Sequence, residues 1–133
     1  MHISREDFEM IVAHAVEEIP GEFRKRIENV EIVVEDEPLP EHFGVAELPP
    51  DVIFFGLYHG VPTPHRGFYN FALPDRILIF KGPIERYCRT RKQLIDQIRK
   101  TVRHEVAHYF GISDERLREI IAAYNYLKSA GFC

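Results

Sequence analysis

The residues of this sequence whose types and spacing best suit metal binding or catalysis are two histidines, His104 and His108, which would lie one turn apart on a helix. They stand in "HEVAH", where Glu105 directly follows the first histidine. At about 100° per residue along a helix, the three side chains fall within an arc of roughly 100°. Imidazoles at this spacing can reach one zinc ion, and the glutamate can take a proton from a metal-bound water. The pattern therefore predicts a zinc hydrolase.

The alternative interpretation is that these residues are a chance set of polar side chains on a helix. The five-residue match does not decide, because a chain with 7 histidines in 133 residues forms it by chance a few per cent of the time, roughly. Extending the match to Gly111 and Asp114 lowers that chance by a factor of roughly several hundred. A left-handed glycine can end the helix and turn the chain back toward the ion. His104, His108 and Asp114 would then leave a fourth position for water, as in catalytic zinc sites.

Two other interpretations stay open for Asp114. An acid in the first turn of a helix, beside the cap candidate Ser113, would stabilise the helix dipole by a few tenths of a kcal/mol. Glu115 is the neighbour that would replace Asp114 as a ligand.

Further polar residues are less specific candidates. His59 and His65 border the loop "GVPTPHRG" and could reach a metal or a substrate, although exposed loop histidine is the default interpretation. Tyr58, Arg66 or Tyr69 could stabilise an oxyanion, and the sequence does not choose among them. The other three histidines are expected at the surface: His2, His14 and His42.

The elements that must position these residues can be read from periodicity. Ser4 resembles the cap of an amphipathic first helix that runs to Pro20-Gly21, and Thr90 can cap a long helix that ends at Gly111. A last helix is expected from Ser113. The segments "VEIVVE" from Val30 and "DVIFFGLY" from Asp51 read as strands, with a proline-rich surface loop between them.

A hairpin is predicted immediately before the long helix. "FYNFAL" and "RILIF" flank Pro74-Asp75, a pair that suits a tight turn, and the second strand is expected to end at Gly82-Pro83. The preceding stretch, residues 60–67, is too rich in proline and glycine to continue a strand.

Length and composition predict one ordinary globular domain spanning residues 1–133. A net charge of −4 argues against a nucleic-acid or anionic-membrane partner, and the only basic cluster, within residues 86–92, suits a solvated helix start. The polar first residues and the lack of a ~20-residue apolar run predict neither a secretory segment nor a membrane span, hence a cytoplasmic protein. Cys88 and Cys133 are expected to be reduced thiols.

The sequence around the histidines resembles a known family. "HEVAHYFGISD" matches the elongated zincin pattern H-E-x-x-H-x-x-G-x-x-D, a variant of the metzincin motif with aspartate in place of the third histidine. More closely, the run from Asp51 to Leu117, with "LPDRILIFKGPIE" before the helix and "DERL" after it, resembles the small bacterial zincin-like metallopeptidases.

That resemblance implies a minimal zincin-like α+β fold, in which a small mixed sheet of about four strands packs on helices, one of them the long active-site helix. By position, His104, His108 and Asp114 match the zinc ligands, and Glu105 matches the general base and acid. The resemblance also implies an edge strand that binds an extended peptide, which places substrate contacts in "FYNFA" at Tyr69, Asn70 and Phe71.

Three functions follow in order of preference. The first is a zinc-dependent peptidase acting on a peptide or protein substrate, and the second is a peptide-binding module that holds zinc with little or no turnover. The third is a metal-dependent endoribonuclease, which is disfavoured because such enzymes lack a glutamate after the first histidine and need a basic surface. The oligomeric state does not follow from the sequence.

Overall fold

The computed structural model describes residues 1–27, 29–60 and 75–129. These residues form an α+β arrangement of six helices and a three-stranded sheet. In chain order the elements are α1 (Arg5–Glu17), α2 (Gly21–Arg26), β1 (Val30–Glu35), α3 (Pro40–Ala46), β2 (Gly56–His59), β3 (Asp75–Phe80), α4 (Lys81–Tyr87), α5 (Arg91–Phe110) and α6 (Asp114–Ser129). None of the helices in the described ranges is long and apolar enough to cross a membrane.

The sheet is mixed, as expected, but its described part has three strands rather than about four. The order is β1-β3-β2, so the central strand is the last of the three in sequence. It runs parallel to β1, with Val30 opposite Asp75, and antiparallel to β2, with Gly56 opposite Ile79. "RILIF" falls in the central strand, whose two sides are paired with β1 and β2, so the predicted hairpin between it and "FYNFAL" is wrong. "FYNFAL" itself lies outside the described residues.

Helix α5 begins and ends where the sequence predicts. Thr90 accepts a hydrogen bond from the Gln93 N–H at 3.1 Å, and the Gln93 side chain accepts one from the Thr90 N–H at 3.3 Å. At the other end Gly111 has φ of 70°, a left-handed conformation that glycine adopts without strain. Helix α6 then starts one turn away, where the Arg116 N–H donates to Ser113 Oγ at 3.0 Å.

The main core lies between helices α1 and α5 and one face of the sheet. The apolar stripe of α5 is fully buried there, together with Phe8 of α1 and Ile77 of β3. Burial of each such large side chain contributes ~1.5–3 kcal/mol relative to exposure, which holds α5 against the sheet. The buried stripe consists of Leu94, Ile98, Val102 and Val106. The polar face of the same helix is thereby directed away from this core.

The second predicted strand is shorter than expected. Only the last three residues of "DVIFFGLY" belong to a strand, β2 (Gly56–His59), and Ile53 is exposed. The last bond of this pairing is the one that the Phe80 N–H donates to the Phe55 carbonyl at 2.8 Å, because the chain enters α4 directly after Phe80. Strand β3 therefore does not extend far enough to pair with residues 51–54.

Three short helices were not predicted. Helix α3 lies in the stretch that we expected to be a loop, with proline at its first position, where no N–H bond is lost. His42 in α3 is buried rather than at the surface, because its Nδ1 accepts the Leu39 N–H at 2.9 Å and its ring packs 5.5 Å from that of Phe80. Helix α2 was also missed, and Gly82-Pro83, expected to end the hairpin, lies in the first turn of α4.

Candidate metal centre

The first feature of the centre is the contrast in exposure along one turn of α5. The side chains of His104 and His108 are 58% and 66% exposed, whereas that of Glu105 is 6% exposed. The helix places the imidazoles toward solvent and turns the carboxylate toward the sheet, as the ~100° step between residues requires. Two accessible imidazoles thus flank an enclosed carboxylate.

The turn at Gly111 brings Asp114 back to the first histidine. Asp114 Oδ2 lies 2.5 Å from Nδ1 of His104. The other oxygen, Oδ1, is buried and has no hydrogen-bond partner within the described residues. Glu115, the alternative acid, is exposed and does not line the groove beside the histidines. The structure therefore brings Asp114, and not Glu115, into contact with His104.

Strand β2 holds Glu105 in place from the other side. The Tyr58 N–H donates to Glu105 Oε1 at 2.8 Å, and the same oxygen is 3.9 Å from Nδ1 of His108. The Tyr58 hydroxyl donates to Oδ2 of the buried Asp75 at 2.7 Å, and its ring lies 5.8 Å from that of His108. One residue of the sheet therefore contacts both the carboxylate and the second histidine.

This packing requires a glycine two positions before Tyr58. A β-carbon at Gly56 would lie 2.7 Å from Cγ2 of Thr101 and 3.1 Å from Cγ of Glu105, closer than ordinary contact. The missing side chain lets β2 approach α5 until the Tyr58 N–H reaches the carboxylate.

The environment changes the proton affinity of two groups in the centre. Burial raises the pKa of the Glu105 carboxyl, against the opposing attraction of His104 and His108 and the hydrogen bond from the Tyr58 N–H. The hydrogen bond with Asp114 raises the pKa of His104, and burial opposes it. Without a cation, both groups therefore hold protons more tightly than usual.

The centre forms part of a groove of about 680 Å³ between β2, the segment after α3 and the polar face of α5. Sequence reasoning missed its other lining residues, although three of them follow the helical period that leads to His104. These three are Gln97, Lys100 and Thr101. The aromatic residues Phe55 and Tyr87 also line it, and no sequence pattern indicates that they would meet there.

Of the other predicted contacts, one lies away from this centre and the rest fall outside the described residues. The substrate-binding candidates Tyr69, Asn70 and Phe71 lie outside the described residues, as do His65 and Arg66. His59 is exposed at the end of β2 and does not line the groove.

The donor chemistry fits a zinc ion, although the described side chains do not form a converged cage. No group of three histidine, cysteine, aspartate or glutamate side chains in the described ranges is arranged to hold a metal ion. Asp114 contacts His104 directly, so these two groups are adjacent rather than aimed at a common point. However, zinc favours accessible imidazoles of this kind, and Asp114 Oδ1 is buried without a hydrogen-bond partner among the described residues. A bound cation is one group that would satisfy such an oxygen.

Comparison with known proteins gives one family match. A family model described as zincin-like metallopeptidase matches residues 27–123, and no curated protein matches the sequence. The matched region contains all three strands, the whole of α5 and the turn that carries Asp114. Since the match spans well over half of the sequence and includes every residue of the centre, the chain belongs to the zincin-like metallopeptidase family.

Proposed function

We propose that this protein is a zinc-dependent peptidase in which His104, His108 and Asp114 hold the metal and Glu105 is the general base. One observation carries the proposal more than any other. Glu105 is a buried carboxylate, fixed through Oε1 by the Tyr58 N–H, directly beside two accessible histidines. A glutamate that only joined the helix to the sheet would not need two accessible histidines beside it, whereas a proton acceptor beside a metal does.

Each residue has a defined part in hydrolysis. Zinc, when bound, supplies a Lewis acid for the peptide carbonyl and lowers the pKa of water. Glu105 takes the proton of the attacking water and returns it to the leaving amine, while the Tyr58 N–H holds the carboxylate in place through Oε1. Tyr58 acts as a positioning residue, with its hydroxyl held by Asp75.

The peptide-contacting strand remains a separate proposal. Tyr69, Asn70 and Phe71 keep the substrate-binding role that the family resemblance implies, with backbone hydrogen bonds to an extended peptide. An Asn70→Pro variant would test it by peptide binding at unchanged zinc content.

A second candidate function is a peptide-binding module without significant turnover. It is favoured by the hydrogen bond from the Tyr58 N–H to Glu105 Oε1, because that bond gives the carboxylate a structural role between β2 and α5. Such a module would hold zinc and peptide while Glu105 served only to join α5 to β2.

Glu105→Gln separates the two functions. The amide keeps the shape and can still accept the Tyr58 N–H, but it cannot take a proton from water. We expect hydrolysis of a peptide library to fall by about 10²–10⁴, while zinc per chain, measured by elemental analysis, and the circular dichroism spectrum stay as in the wild type. Glu17→Gln is the matched control, because Glu17 is an exposed glutamate of α1 that does not line the groove. Equal hydrolysis by Glu105→Gln and wild type at saturating zinc would contradict the peptidase mechanism.

A further inference from the structure

The groove continues from the candidate metal centre along helix α5 for a length that suits a short peptide. Its helical lining begins at Gln97, passes Lys100 and Thr101, and reaches His104. At a rise of 1.5 Å per residue, Gln97 and His104 are roughly 10 Å apart along the axis. An extended chain advances ~3.3 Å per residue, so about three peptide residues fit along this distance.

Lys100 places a positive charge in this part of the groove. It is the only lysine or arginine among the described residues that line it. Its side chain is exposed and makes no ion pair with any carboxylate in the described ranges. Glu47 is the acidic lining residue outside the metal centre, and it disfavours a ligand carboxylate elsewhere in the groove. The ammonium is therefore available to a ligand at one defined position.

Aromatic side chains line the same groove as Lys100. The rings of Phe55 and Tyr87 lie 5.2 Å apart with their planes at 51°. Tyr87 is 67% exposed, a large apolar surface for a residue that lines a groove. Leu48 and Phe54 add further apolar lining. Such surfaces bind large apolar side chains, while a few polar groups set the orientation.

We infer that this groove selects a peptide that places an aromatic or large aliphatic side chain against Phe55 and Tyr87 and a carboxylate at Lys100. The rise from Lys100 to His104 is roughly 6 Å, so the carboxylate belongs about two residues from the bond that is cut. The position of that bond rests on the proposed function, whereas the binding preference does not require turnover. The carboxylate is either an acidic side chain or the end of the peptide chain.

Binding can be measured with tryptophan peptides, because the protein contains no tryptophan. The full-length Glu105→Gln protein, loaded with zinc, is titrated against peptides that carry tryptophan and, two residues away, glutamate, glutamine or lysine. A second pair has a free or an amidated C-terminus. We expect the glutamate peptide to bind about two- to fivefold more tightly than the glutamine peptide at low salt, which is the range of exposed ion pairs. Tighter binding of the glutamate peptide assigns the carboxylate to the side chain. Equal binding of the glutamate and glutamine peptides, together with weaker binding of the amidated peptide, assigns it to the chain end.

Variants of the lysine make the test specific. Lys100→Gln should abolish the preference, and Lys100→Glu should invert it in favour of the lysine peptide. Lys92→Glu is the matched control, since Lys92 is an exposed lysine of the same helix that does not line the groove. Tyr87→Ala should weaken all tryptophan peptides alike and leave the charge preference in place.

Two results would overturn the inference. One is an unchanged preference in Lys100→Glu, and the other is an equal change in Lys92→Glu, which would reveal a general charge effect. A failure of the peptidase proposal gives a different result from a failure of this inference. Binding that depends on Lys100 without hydrolysis by the wild type overturns the peptidase proposal alone, whereas hydrolysis that is indifferent to Lys100 overturns this inference alone.

Discussion

Gly56 marks the closest approach between strand β2 and helix α5, and its replacement by alanine tests that packing. The new β-carbon would lie 2.7 Å from Cγ2 of Thr101 and 3.1 Å from both Cγ of Glu105 and the carbonyl oxygen of Leu78. Thr101 is buried, and its hydroxyl donates to the Gln97 carbonyl at 2.8 Å, so it cannot turn away without losing that bond. The strand and the helix must therefore separate.

The expected cost follows from two opposing terms. Forcing an extra carbon into a packed contact costs about 1–3 kcal/mol. Replacing glycine by alanine in a strand returns roughly 0.5–1 kcal/mol of unfolded-state entropy. We therefore expect Gly56→Ala to lower the free energy of unfolding by about 0.5–2 kcal/mol. Gly44→Ala in helix α3 is the matched control, since a β-carbon there meets nothing within 4 Å, and it should stabilise by about 0.5–1 kcal/mol.

Urea unfolding followed by far-ultraviolet circular dichroism measures both changes. A double-mutant cycle with Thr101→Ser, which removes Cγ2 and keeps the hydroxyl, isolates the contact. If the methyl group is the obstacle, Gly56→Ala should cost about 1 kcal/mol less in the Thr101→Ser background than in the wild type. The reasoning is refuted if the two changes add within about 0.3–0.5 kcal/mol, or if Gly56→Ala stabilises as Gly44→Ala does.

Two further predictions concern an acid of the core edge and an acid of the metal centre. Burial raises the pKa of Glu85, but the Ile3 N–H at 2.7 Å and Lys81 at 3.0 Å outweigh it, so the net pKa is lowered. The stabilisation by ionised Glu85 is thus fully present above the pKa of about 4.3 that a glutamate has in the unfolded chain, and it is lost as pH falls below that value. Glu85→Gln should therefore lower the free energy of unfolding in urea by about 1–3 kcal/mol at pH 7 and by less at pH 3.5. A loss that does not depend on pH would contradict this prediction. Asp114→Ala should lower the affinity for one zinc ion per chain by roughly tenfold or more in a competitive chelator titration, whereas Glu115→Ala should leave that affinity unchanged. The reverse result would make Glu115 the ligand.

The parts of the fold that the sequence predicts are those determined by neighbouring residues. Thr90 and Gln93 cap α5 within one turn, and Gly111 ends it, so both limits follow from local hydrogen bonding. The spacing of His104 and His108 on that helix follows in the same way. Asp114 lies only ten positions from His104, and the glycine turn between them is short enough to infer.

The parts that sequence reasoning misses depend on distant residues. "DVIFFGLY" has strand character throughout, but it pairs only as far as Phe55 because its partner strand turns into α4 after Phe80. His42 is buried by a ring almost forty residues away. The Tyr58 N–H and Glu105 are 47 positions apart, and no local pattern shows that they meet.

The position of β3 in the middle of the sheet has a consequence for how the chain folds. Both edge strands pair only with β3 among the described strands, and the partners Val30 and Asp75 stand 45 positions apart in sequence. Closing so long a loop costs entropy before any pairing offsets it, whereas α5 forms from contacts within a few residues. We expect the histidine-bearing helix to form early and the sheet late, so that Glu105 meets its Tyr58 partner only when the chain has nearly finished folding.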